Sequence, residues 1–164
     1  MGQRITREVD LETGVVVQEA YRLDGRLHRD PNEGPAYVYR DPETGVVCEE
    51  RYCWHGRLHR EGGPAKVSYG GGGTVMLDEM YYRHGLLHRD PKLGPAYFER
   101  NDDGVAFMEV YYFNGSQYRD PADGPHLIAR YDDGRIEAEE YSEPGQTPPP
   151  RRPASKRRGP EPAP

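Results

Sequence analysis

Apolar and aromatic residues in this chain recur at every second position, in runs bounded by Gly, Pro, Asn and Asp. The long run 46–54 (VVCEERYCW) places Val46, Cys48, Glu50, Tyr52 and Trp54 on one side. Its counterparts put Val75, Leu77, Glu79, Tyr81 and Arg83 together, then Val105, Phe107, Glu109, Tyr111 and Phe113. A period of two is the signature of a β-strand with distinct faces. No helix-length stretch has the i, i+3, i+4 spacing of an amphipathic helix. Shorter runs (AYVYR, AKVSY, AYFER, HLIAR) follow Gly34-Pro35, Gly63-Pro64, Gly94-Pro95 and Gly124-Pro125, where Gly-Pro breaks the chain. Asp24-Gly25 and Asn114-Gly115 are strong tight-hairpin signals, and His55-Gly56 and His84-Gly85 weaker ones. Each unit is therefore expected to hold two main antiparallel strands and a short extended piece at Arg-Leu-His.

The turn glycines Gly25, Gly56, Gly85, Gly115 and Gly145 are spaced by 31, 29, 30 and 30 residues. Such a period marks a repeat array in which neighbouring units supply each other's core. The spacing predicts a β-repeat domain over 1–145: an N-terminal hairpin (1–24) and units 25–55, 56–84, 85–114 and 115–144. A proline-rich basic tail (146–164) follows. The fold class expected is all-β, an elongated twisted antiparallel sheet of stacked hairpins of about 30 residues each, with a disordered tail.

Every long strand carries a glutamate in the middle of its better core face: Glu19, Glu50, Glu79, Glu109 and Glu139. A carboxylate there is costly unless it is paired. The basic residue repeated in register is Arg29, Arg60, Arg89 and Arg119. These positions predict a ladder joining Arg29 to Glu50, Arg60 to Glu79, Arg89 to Glu109 and Arg119 to Glu139. Glu19 would then be left unpaired and more exposed.

The repeat resembles the MORN-repeat family, in the variant form reading Tyr-x-x-Asn-Gly-x-Leu-His-Arg-x-x-Gly-Pro-Ala. Tyr21, Gly25, Leu27, His28, Arg29, Gly34, Pro35 and Ala36 carry the match, with equivalents in the next two units. The fourth unit departs at Gln117, Tyr118 and His126. The match covers about residues 15–145. It implies stacked hairpins forming an extended sheet used as a scaffold or binding surface.

Composition narrows the function. The hydrophobic fraction is 34%, against roughly 45–50% for globular domains when Gly is counted, so a deep two-layer core is not expected. Thirteen Tyr against three Phe and one Trp suit half-buried rings with wet hydroxyls. Residues 146–164 carry Arg151, Arg152, Lys156, Arg157 and Arg158 against Glu161, a net +4 that leaves −10 on residues 1–145 of the overall −6. An acidic body argues against phosphate-backbone binding by the repeats. Nucleic acid or an anionic membrane would be reached only through the tail, which could equally act as a nuclear-import signal or a spacer. Cys48 and Cys53, roughly 16 Å apart along a strand, are beyond disulfide reach. No apolar run is long enough for a membrane span and no secretory signal is evident, so a cytoplasmic protein is expected, nuclear if the tail directs import in a eukaryotic host.

Candidate chemistry is thin. His-Arg-Asp at 28–30 and 88–90 is shared with the protein-kinase catalytic loop, but the other kinase motifs are missing and the triplet repeats. The column His28, His59 and His88 is expected to be structural, each ring beside a tyrosine and bonded to backbone at the Gly-Pro turn. Residues 101–110 fall short of a calcium loop, because Val110 stands at the closing position. No cofactor or metal site is expected. The reading is a non-enzymatic scaffold that presents an acidic, Tyr-rich surface to a protein partner, with Trp54, Arg83, Phe113, Tyr82 and Tyr112 as contact candidates. Its alternative is an acidic inhibitor or immunity-type protein that blocks a basic nucleic-acid-binding surface. Charged edge strands favour a monomer or a small closed oligomer.

Overall fold

In a computed structural model, residues 2–150 are described; the basic-tail residues Arg151, Arg152, Lys156, Arg157 and Arg158 lie outside them. The chain is all-β. An N-terminal hairpin pairs β1 (Gln3–Val9) with β2 (Val16–Leu23). Next come β3 (Arg26–Leu27), β4 (Tyr37–Arg40), β5 (Val47–Arg51) and β6 (Cys53–Trp54). The pattern repeats as β7 (Arg57–Leu58), β8 (Lys66–Gly70), β9 (Val75–Met80) and β10 (Tyr82–Arg83). It repeats again as β11 (Leu86–Leu87), β12 (Tyr97–Arg100), β13 (Ala106–Val110) and β14 (Tyr112–Phe113). The last strands are β15 (Ser116–Gln117), β16 (Leu127–Arg130) and β17 (Ile136–Glu140). Among the described residues no helix is long and apolar enough to cross a membrane.

The ten longer strands form one antiparallel meander in the order β1, β2, β4, β5, β8, β9, β12, β13, β16, β17. At the usual interstrand spacing this spans about 43 Å. The open edges are β1, with Arg4, Arg7 and Glu8, and β17, with Glu137, Glu139 and Glu140 exposed. The buried residues are mostly small or ring-shaped: Ala36, Ala65 and Ala96 at 0% exposure, with Val38, Val67, Tyr52 and Tyr111 close behind.

One row across the sheet reads Arg7, Glu19, Val38, Glu50, Val67, Glu79, Phe98, Glu109, Ile128, Glu139. Glutamates from the long strands thus alternate with apolar residues from the short ones. Their partners differ from the expected ladder. Glu79 pairs with Arg100 at 2.7 Å and Glu109 with Arg130. Arg100 and Arg130 stand two residues beyond the row neighbours Phe98 and Ile128, so they reach back diagonally along the same face. The Arg100 guanidinium lies 4.0 Å over the Phe98 ring on its way. In the second unit Tyr69 replaces this arginine and donates its hydroxyl to Glu50 at 3.1 Å. Glu139 accepts from Tyr141.

Glu19 is not the unpaired member. It pairs with Arg7 at 2.5 Å, accepts from Tyr21 at 3.0 Å, and is 16% exposed, the same as Glu109. Burial works to raise the Glu19 pKa, but the bonds from Arg7 and Tyr21 outweigh it and hold the carboxyl below its ordinary value.

The corner arginines instead pack across the tight turn on the tyrosine eight residues earlier. Arg29, Arg60, Arg89 and Arg119 lie over the rings of Tyr21, Tyr52, Tyr81 and Tyr111 at 3.9, 3.8, 3.9 and 4.2 Å. Each donates Nη1 to the carbonyl of the following proline, Pro35, Pro64, Pro95 or Pro125, at 3.0–3.3 Å. A tyrosine ring is therefore interposed where the ladder required a carboxylate. The glycine before each proline makes this possible. A Cβ on Gly94 would stand 3.0 Å from Arg89 Nη1, and its φ of 120° already disfavours a side chain.

The two-residue strands stack as a second, smaller ladder of tip hairpins. Asp24, His55, His84 and Asn114 each have φ near 50° and precede a glycine at φ 77–87°, the doubly positive geometry of a type I′ turn. Successive tips are joined by Arg29 N to Cys53 O, Arg60 N to Tyr82 O and Arg89 N to Tyr112 O. The tip glycines of the later units bond back through Gly56 N to Leu27 O, Gly85 N to Leu58 O and Gly115 N to Leu87 O. The segment after β17 covers the last tip: Ser142 is buried and its hydroxyl accepts from Arg119 N at 3.3 Å. Pro149 O then accepts from Asn114 Nδ2 at 2.9 Å. This is the capping that an end unit of a repeat array needs.

Candidate functional site

The histidine column belongs to these tips. Nδ1 of His28, His59 and His88 accepts from the backbone N–H of His55, His84 and Asn114 at 3.1, 3.4 and 3.0 Å. The partner is thus the next tight turn along the chain, not the Gly-Pro corner. The rings also pack on that turn: His28 on Trp54 at 4.3 Å, His59 on His84 at 4.2 Å, and His88 on Phe113 at 4.8 Å. Among the described residues no group of three or more His, Cys, Asp or Glu could hold a metal ion. Cys48 and Cys53 are free, and burial pushes the Cys53 thiol up to about 11, away from reactivity at neutral pH.

Burial first, and then the neighbouring histidine, lowers the pKa of both His28 and His59 below the usual imidazole value. Their unfolded forms bind a proton at higher pH than the folded ones, so stability rises with pH across that interval. The stabilisation is complete above the unfolded value of about 6.5 and is lost as pH falls toward the folded values. Thermal melts between pH 7.5 and 5.5 should show a falling Tm for the wild type. The double variant His28→Asn/His59→Asn should show a smaller fall, and equal slopes would count against this assignment.

The site that breaks the repeat lies between the second and third units. From arginine to glycine the corner reads Arg60, Glu61, Gly62, Gly63, where the others run RDPNEG, RDPKLG and RDPADG. It is two residues shorter. Beside it opens a cleft of about 430 Å³ lined by Arg60, Glu61, Gly62, Gly63, Tyr81, Tyr82, Arg83, His88, Arg89, Asp90 and Leu93. Arg60 and Arg89 are held in place by their tyrosine rings and proline carbonyls, as above. Pro91–Leu93 forms one 3-10 turn whose start is capped by Asp90 Oδ1 accepting from Lys92 N, and this presents Leu93 at 70% exposure on the rim. Burial, followed by the Glu79 carboxylate, raises the Tyr81 pKa. Burial, followed by Tyr112, raises that of Tyr82. Both rings are therefore neutral hydrogen-bonding walls at physiological pH.

Of the contact candidates read from the sequence, the cleft gathers Tyr82 and Arg83. Trp54, 38% exposed, stays on an earlier tip against His28, and Phe113 packs on His88. The Tyr112 hydroxyl accepts from Gln117 Nε2 at 3.2 Å within its own hairpin. Arg60, expected as a ladder rung with Glu79, lines the cleft instead, and Glu61, Asp90 and Leu93 are site residues that the sequence pattern did not single out, although the 29-residue spacing is the signal that the second corner is short. No family model, curated protein or solved structure matches the chain.

Proposed function

We propose that this chain is a non-enzymatic, MORN-like repeat module that binds a protein partner, and that the cleft beside residues 61–63 is where the partner engages. The observation that carries the reading is local: of the four Gly-Pro corners this one alone is shortened, and the void beside it is lined by rings, guanidiniums and one exposed leucine. A ring- and arginine-rich hollow with an apolar rim has the composition of an interaction hot spot. A regular stack explains the other corners without a ligand. Inhibition by charge mimicry is less favoured, because Glu19, Glu79 and Glu109 are spent on internal pairs at 13–16% exposure and are not displayed.

The test is to refill the cleft. Replacing residues 61–63 by the five-residue loop of the first unit, Asp-Pro-Asn-Glu-Gly, restores the common corner. Affinity capture followed by mass spectrometry should then lose the specific partner by about tenfold or more, the scale of a lost hot spot, with Tm retained. Equal capture of the same protein by both forms would refute the cleft as the binding place.

A further inference from the structure

We propose that the cleft is a carboxylate-binding site, in which Arg83 receives one acidic side chain or C-terminal carboxylate of a partner's peptide segment while Leu93 and Tyr82 flank an apolar neighbour. This rests on the module reading above and names the chemistry of its ligand.

Arg83 carries the argument. Its side chain is half-buried on β10, yet it makes no hydrogen bond or ion pair with any described residue. A guanidinium has five N–H donors in a fixed fork, and none of the Arg83 nitrogens is sealed from solvent, so the fork is open to a ligand. Four arginines of the neighbouring units are satisfied within the array, Arg100 and Arg130 by glutamates, Arg60 and Arg89 by rings and proline carbonyls. At the equivalent tip positions the sister units carry Leu23, Trp54 and Phe113. The arginine therefore appears at the junction where the corner is short.

The charge balance selects the ligand. Arg60, Arg83 and Arg89 face Glu61 and Asp90, both exposed at the mouth, so the cleft has one positive charge in excess on a strongly acidic body. That matches a single carboxylate. A phosphodiester chain or an anionic lipid surface would meet the repulsion of the whole repeat domain. The volume, about 430 Å³, is in the range of small-ligand clefts, and the exposed Leu93 gives an apolar surface next to the charge. Planar guanidinium forks bind carboxylates in two-point fashion, which adds orientation to attraction.

Titration followed by NMR at the arginine Nε–Hε and leucine methyl signals tests this directly. The probes are acetyl-Ala-Leu-Glu-Leu-Ala-amide, its Gln analogue, acetate and inorganic phosphate. The Glu peptide should move the Arg83 and Leu93 signals and bind about tenfold more tightly than the Gln peptide, the discrimination of a charge-assisted pair. Acetate should move Arg83 alone and more weakly. Arg83→Gln should erase the Glu-over-Gln preference, and Arg83→Lys, which keeps charge but not the fork, should recover part of it. Equal binding of the two peptides, a preference unchanged in Arg83→Gln, or phosphate displacing the Glu peptide would each overturn the assignment. If the loop-refilled form loses its partner while the two peptides bind alike, the module reading stands and the carboxylate assignment alone falls.

Discussion

Arg29→Ala is expected to destabilise the first unit by about 3 kcal/mol, the sum expected for a partly desolvated cation–π contact and a hydrogen bond from a charged donor. Both are made by one side chain: the guanidinium lies 3.9 Å over Tyr21 and donates to Pro35 O at 3.2 Å. It also fills the space that Gly34 leaves open, where a Cβ would come within 3.1 Å of Nη1. Truncation removes the contact, orphans a carbonyl and leaves a void, three losses at one corner. Lysine should not rescue, since an ammonium cannot lie flat on a ring and donate sideways at once. Urea unfolding of Arg29→Ala and Arg29→Lys checks this. A loss under about 1 kcal/mol, the worth of an ordinary surface contact, would mean the corner is held by Gly-Pro geometry alone. Because units couple mainly to neighbours, hydrogen exchange should show the loss concentrated in β2, β3 and β4.

The second large effect belongs to the glutamate row. Arg100→Ala should cost about 2–3 kcal/mol, somewhat below the figure for a fully buried pair broken on one side. Glu79 is 13% exposed and sits between Val67 and Phe98 in the row. Without Arg100 it keeps only the Tyr81 hydroxyl at 3.1 Å. The double variant Glu79→Leu/Arg100→Leu should regain most of the loss, because the flanking positions are already apolar and the buried charge is gone. A double-mutant cycle by urea denaturation reads the coupling. A coupling indistinguishable from zero would show that the pair is solvent-screened and that the row is held by its apolar members.

How far the sequence leads can be seen residue by residue. The tips were legible because their signals are local: Asp24-Gly25 and Asn114-Gly115 encode a doubly positive turn wherever they occur. His55 and His84 are weaker local signals, and the turn there is supported by the ring and Nδ1 of the histidine that follows the preceding tight turn. That support crosses 25–27 residues and has no mark in the local pattern of the turn. The glutamates were legible as residues in need of partners, but the partners were not. Arg29 and Arg100 are both basic and both periodic, and choosing between them needs the strand register and the direction in which each side chain leaves its strand. The register places Phe98 opposite Glu79, which brings Arg100 within reach. The corner bend lays Arg29 on Tyr21.

The sequence by itself determined the all-β class, the thirty-residue period, the hairpin positions and the thin core, because these follow from alternation, turn chemistry and a low apolar content. Only the tertiary structure decided which arginine neutralises which glutamate, what the histidines hold, and that a two-residue shortening at residues 61–63 opens a cleft beside Arg83. Those outcomes depend on distances between units. In a repeat array such distances are set by how successive hairpins stack, a property that a single unit's sequence does not contain.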